Sequence, residues 1–160
     1  MNSSDISSLT NQLHSSKKFL GLPDWQKRVQ AAQQLGNLRA AAAVDDLRTV
    51  ISEAKNEDLV LAAIRALGQI GDETAINALG GILTDRSSQA WHKEVVVVLS
   101  GVENPRVVTT LINAASMVSE NIRRAMAQVL AKMSPAWATE PLRAYPTTHA
   151  ARKVIQAQAK

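Results

Sequence analysis

The sequence contains no cysteine and very few aromatic residues. Without cysteine, neither a disulfide framework nor a thiolate metal site can form, and the redox compartment is not marked. Aromatic residues make up 3% of the chain, while alanine, leucine, valine and isoleucine supply most of its 46% hydrophobic content. That balance is typical of closely stacked helices.

Long apolar runs are also missing. No stretch approaches the roughly 20 apolar residues that a membrane-spanning helix needs. Residues 1–10 lack the basic start and apolar centre of a secretory signal peptide. We therefore expect a cytoplasmic protein, and the 160 residues are enough for one compact domain with a continuous core.

The sequence does contain an internal repeat. Four apolar columns recur with spacings of 32, 32 and 31 residues. They are Leu35, Leu67, Leu99 and Leu130; Leu47, Leu79, Leu111 and Leu142; Ala43, Ala75, Val107 and Ala138; and Leu38, Ile70, Val102 and Met133. A period of this length indicates an α-solenoid, in which each unit buries its apolar face against its neighbours.

The stretch 58–85, in the second unit, shows the plan of one repeat. Its first half has apolar residues on one helical face, and its second half has the same pattern. Between them, Gly71 is suited to the left-handed conformation that ends a helix, and Asp72 is suited to cap the next helix. The pattern predicts a helical hairpin.

The residues at this turn resemble a known family. The segment 66–72 is ALGQIGD and the segment 75–79 is AINAL. Together they resemble the HEAT-like repeat of the phycobilisome-lyase type, whose turn is ALG-x-[IL]-GD followed by A-[VI]-x-x-L. The first unit matches in part, with Arg39 and Ala40 in place of Gly-Asp, and the later units keep the apolar columns but lose the glycines.

The predicted fold is all-α, an α-solenoid of about four HEAT-like repeats with capping helices at both ends. We expect one domain overall, with a cap over residues 1–23, repeats over 24–56, 57–88, 89–119 and 120–146, and a cap over 147–160. The N-terminal cap is predicted as a helix over Asp5–Leu20. The valine run at 95–98 would alone favour a strand, but the repeat register predicts a helix there.

The resemblance implies where a partner would bind. In this family the second helices of the repeats line the concave surface, where partners often dock. The register places small and polar residues on that surface, which suits a peptide segment or a partner helix. The predicted contact residues are Arg48, Asn77, Gly80, Gly81, Thr84, Asn113 and Arg143, together with Trp137 at the start of a second helix.

No catalytic, cofactor-binding or metal-binding group emerges from the sequence. His14, His92 and His149 fall in three different units, so they cannot form a zinc site by helical spacing. We interpret them as surface or capping residues. Gly80 and Gly81 are not followed by the Lys-Ser/Thr of a phosphate loop, and they are explained either by close approach of a partner or by tight helix packing.

Charge is distributed unevenly along the chain. Residues 1–85 carry eight Lys/Arg and ten Asp/Glu, a balance of −2, whereas residues 86–160 carry ten and four, a balance of +6. The excess suggests an acidic partner or nucleic acid near the C-terminal end. The predicted basic patch in this half of the chain consists of Arg123, Arg124, Lys132, Arg152 and Lys153.

Three functions therefore stand open. The leading hypothesis is a monomeric, non-enzymatic scaffold that binds another protein. The second is nucleic-acid binding through the basic C-terminal half. The third, implied only by the resemblance, is an accessory component of a bilin lyase-type enzyme.

Overall fold

The computed structural model describes residues 3–15 and 24–133, and this part of the chain is all-α, as predicted. Within these residues there are eight α-helices and no strand. The helices are α1 (Ser3–Leu13), α2 (Asp24–Asn37), α3 (Val44–Glu53), α4 (Glu57–Ile70), α5 (Glu73–Thr84), α6 (His92–Ser100), α7 (Arg106–Ala114) and α8 (Glu120–Lys132). Among the described helices, none has the length and apolarity needed to cross a membrane.

The chain divides into two compact units, Met1–Ala78 and Leu79–Lys160. In the first unit, α2 packs against α1 and α4, and α3 packs against α4. In the second unit, α6 packs against α8, and the end of α5 contacts α7 through Gly80 and Thr110. First helices of successive repeats thus pack together, α2 on α4 and α6 on α8, and so do the second helices α5 and α7, as stacked repeats predict.

The apolar columns of the repeat form the core of each unit. Every described member of the first three columns is buried, which confirms the repeat register. In the fourth column Ile70, Val102 and Met133 are buried, while Leu38 is partly exposed. Helices that bury one stripe against a neighbour derive most of their stability from that packing rather than from intrinsic propensity.

Turn residues set the ends of the helices in the second repeat. The Asn56 side chain accepts a hydrogen bond from the Leu59 N–H at 3.0 Å, capping α4. Gly71 ends α4 with a φ of 63°, and Asp72 accepts a hydrogen bond from the Ala75 N–H at 2.7 Å. Both predictions are confirmed. Gly71 adopts the left-handed conformation that ends a helix, and the Asp72 side chain accepts a hydrogen bond from a backbone N–H that has no partner within its helix.

The N-terminal helix is shorter than predicted. The helix α1 ends at Leu13, whereas the apolar spacing predicted a helix over Asp5–Leu20. Arg28 donates from Nε to the Leu13 carbonyl oxygen at 2.6 Å, so an α2 side chain occupies the carbonyl at the end of α1. Residues 16–23 lie outside the described part.

The third repeat begins with a short 3₁₀ segment, Arg86–Trp91, before α6. The valine run at 95–98 is helical, as the repeat register predicted. Asn104 then accepts a hydrogen bond from the Arg106 N–H at 2.9 Å, and Pro105 occupies the start of α7. The predicted second helix of the fourth repeat and the C-terminal cap, residues 134–160, lie outside the described residues.

Candidate interaction surfaces

In the first unit, the predicted contact residues lie on the second helix of each repeat and face solvent. Arg48 is exposed on α3, and Asn77 is exposed on α5. Neither belongs to the apolar columns, so their exposure follows directly from the helical period. The first unit therefore presents polar side chains where the register predicted them.

In the second unit, the two adjacent glycines of α5 differ in their surroundings. A methyl group at Gly80 would lie 2.6 Å from Cγ2 of Thr110 on α7, so a side chain there has no room. A methyl group at Gly81 would meet no atom within 4 Å. Helix packing therefore accounts for Gly80 but not for Gly81.

Thr84 and Asn113 are the other described members of the predicted contact set in this unit. Both are exposed. The Thr84 hydroxyl donates to the Gly81 carbonyl oxygen of its own helix at 3.0 Å. Arg143 and Trp137, predicted for the same surface, lie outside the described residues.

The basic residues of α8 differ in their roles. The Arg123 guanidinium donates to the carbonyl oxygens of Ala115 and Val118, at 2.8 and 3.3 Å, and to the Glu120 carboxylate at 2.7 Å. Arg124 is largely exposed and reaches Glu120 at 3.5 Å. Arg123 therefore caps the C-terminal end of α7. Lys132 is exposed, whereas Arg152 and Lys153 of the predicted patch lie outside the described residues.

The sequence indicated that His92 is either a surface or a capping residue, and the structure excludes the surface alternative because His92 is buried. Only 2% of it is exposed, and Nε2 lies 3.0 Å from the Ile82 carbonyl oxygen and 3.2 Å from that of Asp85. Carbonyl oxygens only accept, so Nε2 carries a proton and donates. His92 thus caps the C-terminal end of α5, where carbonyls lack helical partners.

The sequence offered a pattern for this role that the apolar columns obscured. Arg28, Val60, His92 and Arg123 form one further column with the same spacing of 32, 32 and 31 residues. Three of these four carry N–H donors, and those three reach carbonyls at the end of a preceding helix. The recurrence of side-chain N–H donors at one position of the repeat would have indicated that these residues cap the preceding helix rather than form a charged surface.

His14 makes a different contact. Its Nε2 lies 2.8 Å from Oδ1 of Asp46, and both side chains are more than one-third exposed. The pair links the end of α1 to α3. An exposed pair of this kind contributes at most about 1 kcal/mol to stability.

The loop after α5 contains a carboxylate that accepts several hydrogen bonds. Asp85 accepts hydrogen bonds from the Ser87 hydroxyl at 2.6 Å, the Ser87 N–H at 2.9 Å and the Ser88 hydroxyl at 2.8 Å. These hydrogen bonds from Ser87 and Ser88 hold the pKa of Asp85 below its ordinary value. The arrangement stabilises the turn into the 3₁₀ segment. Within residues 3–15 and 24–133, no group of three His, Asp or Glu side chains is placed to hold a metal ion.

Comparison with known families agrees with this architecture. No curated protein matches the chain. Residues 17–90 match the family of HEAT repeats, which covers α2 to α5 and the start of the third repeat. This segment of the chain is therefore similar to HEAT repeats, which agrees with the all-α repeat architecture of the described residues.

Proposed function

We propose that the protein is a non-enzymatic interaction module that binds a segment of another protein on the surface of its second helices. HEAT repeats commonly act as protein-interaction scaffolds. In the phycobilisome-lyase type of repeat that the sequence resembles, this surface is the concave one. The proposed contact residues are Arg48 and Asn77 in the first unit and, considered separately, Gly81, Thr84 and Asn113 in the second.

Gly81 is the observation that supports this proposal most directly. Glycine inside a helix is less favourable than alanine by about 1 kcal/mol. At Gly80 the nearby Thr110 leaves no room for a side chain, but at Gly81 no neighbour within the described residues requires the absence of a side chain. A partner backbone lying close to α5 would require it.

The chemistry of the surrounding side chains fits a protein partner. Asn113, Thr84 and Asn77 are uncharged and exposed, with Arg48 as the charged member in the first unit. Amides and hydroxyls pair with the peptide groups of an extended or helical segment. Among the proposed contact residues within 3–15 and 24–133, Arg48 is the one positive charge, whereas phosphate binding uses a dense positive surface.

Nucleic-acid binding through the basic half of the chain has less support. Arg123 uses its guanidinium on carbonyl oxygens and on Glu120, so it offers little to a phosphate. Arg124 and Lys132 would remain, with Arg152 and Lys153. The third function, an accessory component of a bilin lyase-type enzyme, is supported only by the resemblance of the turn motif at residues 66–79. An absorbance change on adding an open-chain tetrapyrrole would test it.

The first experiment is affinity capture from extracts of the source organism, with and without nuclease, washed at low and at high salt. We expect a stoichiometric protein that survives both treatments. Recovery of nucleic acid alone, lost at high salt, would overturn the proposal, because phosphate contacts are the ones that weaken steeply with salt.

A pair of variants then tests the surface. With the captured partner, Gly81→Ala should raise the stability of the free protein by about 0.5–1 kcal/mol yet weaken binding. Asn113→Ala should also weaken binding. Gln33→Ala serves as the control, because Gln33 is exposed on α2, the first helix of its repeat, and not on a second helix. Unchanged affinity in Gly81→Ala and Asn113→Ala would show that the partner binds elsewhere.

A further inference from the structure

A second candidate binding site lies in the second unit, on the first helices of its repeats. A groove of about 540 Å³ runs between α6 and α8. Val97 on α6, with Val129 and Met133 at the α8 side, supplies apolar lining, and Lys93, Lys132 and Glu103 supply charges. Ligand sites in proteins commonly have volumes of about 300–1,000 Å³.

The helical form of the valine run explains why the groove is apolar. Successive residues of a helix point about 100° apart, so four in a row face every direction. Val95 and Val96 are buried in the core, and Val97 is left 56% exposed. An exposed valine in the lining of a groove is a site at which a partner can bury apolar surface.

The repeat register explains why the groove exists between these two helices. In the first unit, α2 and α4 approach closely at Gly36, where a methyl group would lie 2.7 Å from Cα of Ala66. The equivalent positions of α6 and α8 hold Ser100 and Val129, and both line the groove. Larger side chains at the point of closest approach prevent the two helices from meeting as α2 and α4 do.

The charges around the groove favour an acidic occupant. Within residues 3–15 and 24–133, neither Lys93 nor Lys132 makes an ion pair. Together with the carboxylate of Glu103 they give the lining a net positive charge. Lys93 belongs to the first turn of α6 and Lys132 to the last turn of α8.

We propose that the groove between α6 and α8 binds an amphipathic helix of another protein, with apolar residues that cover Val97 and carboxylates that pair with Lys93 and Lys132. A helix lying in a groove between two helices uses anchors at i, i+3, i+4 and i+7. The carboxylates confer specificity and speed association.

The chain beyond Met133 does not have this chemistry. Residues 134–160 contain four basic residues, Arg143, Arg152, Lys153 and Lys160, and a single acidic residue, Glu140. Its positive charge does not complement the two lysines. The occupant is therefore assigned to a partner and not to the chain itself.

Selection from a displayed library of random peptides about 16 residues long, which is about four helical turns, tests the proposal on the full-length protein. We expect enriched peptides to have apolar residues at helical spacing and an excess of Asp and Glu. Their affinity should fall at least tenfold with Val97→Asp and with Lys93→Glu/Lys132→Glu. It should also fall when salt is raised from about 50 to about 300 mM, because screening weakens the ion pairs.

Met117→Asp is the matched control, because Met117 is also exposed, at 48%, but does not line the groove. It should leave peptide affinity unchanged, and thermal melting should show that both aspartate variants are folded. Gly81→Ala should also leave it unchanged, which separates this site from the proposed surface of the second helices.

Three results would overturn the proposal. The first is that no peptide is enriched, or that enriched peptides are basic or neutral. The second is that Val97→Asp and Met117→Asp weaken binding equally. The third is a dimer in sedimentation experiments that Val97→Asp dissociates, which would assign the groove to a second copy of the chain.

Discussion

His92 and Arg123 lie 31 residues apart at the same position of successive repeats, and each donates hydrogen bonds to carbonyl oxygens at the end of the preceding second helix. Arg28 does the same for α1. Val60 occupies this position in the second repeat, and its side chain has no donor. A position that carries a donor in three repeats thus serves mainly to close helix ends.

Replacing His92 should be costly. In His92→Ala the Ile82 and Asp85 carbonyls lose their donor inside the protein, and a cavity remains, so we expect a loss of about 2–4 kcal/mol in the free energy of unfolding. Urea denaturation measures it. His14→Ala, which removes an exposed contact with Asp46, should cost at most about 1 kcal/mol. Equal losses in the two variants would contradict the capping role.

The two arginines at the start of α8 should behave differently. Arg123→Ala removes donors from Ala115 and Val118, and we expect it to lower stability by about 1–2 kcal/mol. Arg124→Ala removes only a long, exposed contact with Glu120 and should change stability by less than about 0.5 kcal/mol. Chemical denaturation of both variants compares them directly. If Arg124 proved the more important of the two, the capping account of Arg123 would be wrong.

Arg39 should be replaceable by glycine with a gain in stability. It has a φ of 48° at the position that Gly71 occupies in the next repeat, where φ is 63°. A residue with a Cβ is disfavoured in the left-handed region by about 1 kcal/mol, so Arg39→Gly should stabilise by about that amount and Gly71→Ala should destabilise similarly.

A second arginine provides the control for this substitution. Arg48 lies inside α3, where glycine costs about 1 kcal/mol, so Arg48→Gly should destabilise. Thermal melting distinguishes the two directions. A loss of stability in Arg39→Gly would mean that contacts of the arginine side chain outweigh the backbone conformation.

Gly80 should not tolerate alanine. The added methyl group would overlap Cγ2 of Thr110, and overpacking of this kind costs about 1–3 kcal/mol. In a Thr110→Ser background, which lacks that methyl group, Gly80→Ala should become neutral or stabilising. A double-mutant cycle measures the coupling. Additive effects would show that Thr110 is not the obstacle.

Asp85 should make stability depend on pH in the acidic range. Its pKa is lower in the folded protein than the ordinary value of 3.8, because Ser87 and Ser88 donate hydrogen bonds to the carboxylate. Its contribution is therefore present above that value and is lost as the pH falls through the lowered pKa.

The neutral amide of Asp85→Asn removes this dependence. We expect the melting temperature of the variant to lie below that of the parent at neutral pH. The gap should narrow as the pH falls below 3.8. A gap that stays constant across this range would indicate that the effect of Asp85 does not depend on its charge.

The sequence predicted the features that follow from local patterns. The columns at Leu35 and Leu47 established the helix pairs, and Gly71 and Asp72 established a turn, because their conformational and hydrogen-bonding preferences act within a few residues. The helical state of the valine run followed from register. Each of these depends on spacing that a single chain displays.

Features that depend on distances between helices were not predictable in this way. The burial of His92 depends on where the end of α5 lies, and the exposure of Val97 becomes important only once the separation of α6 and α8 is known. The two glycines of α5 could be told apart only by locating Thr110. Sequence reasoning offered packing and partner contact as alternatives, and the structure supports packing at Gly80 alone.

The contrast between Gly36 with Ala66 and Ser100 with Val129 has a consequence for how such arrays diverge. Where these two positions hold glycine and alanine, the first helices approach closely, and where they hold serine and valine, a groove lies between them. A duplicated repeat can therefore acquire a recess by enlarging those two residues while its buried leucines stay unchanged. New recognition can then arise between existing helices without any insertion or added loop.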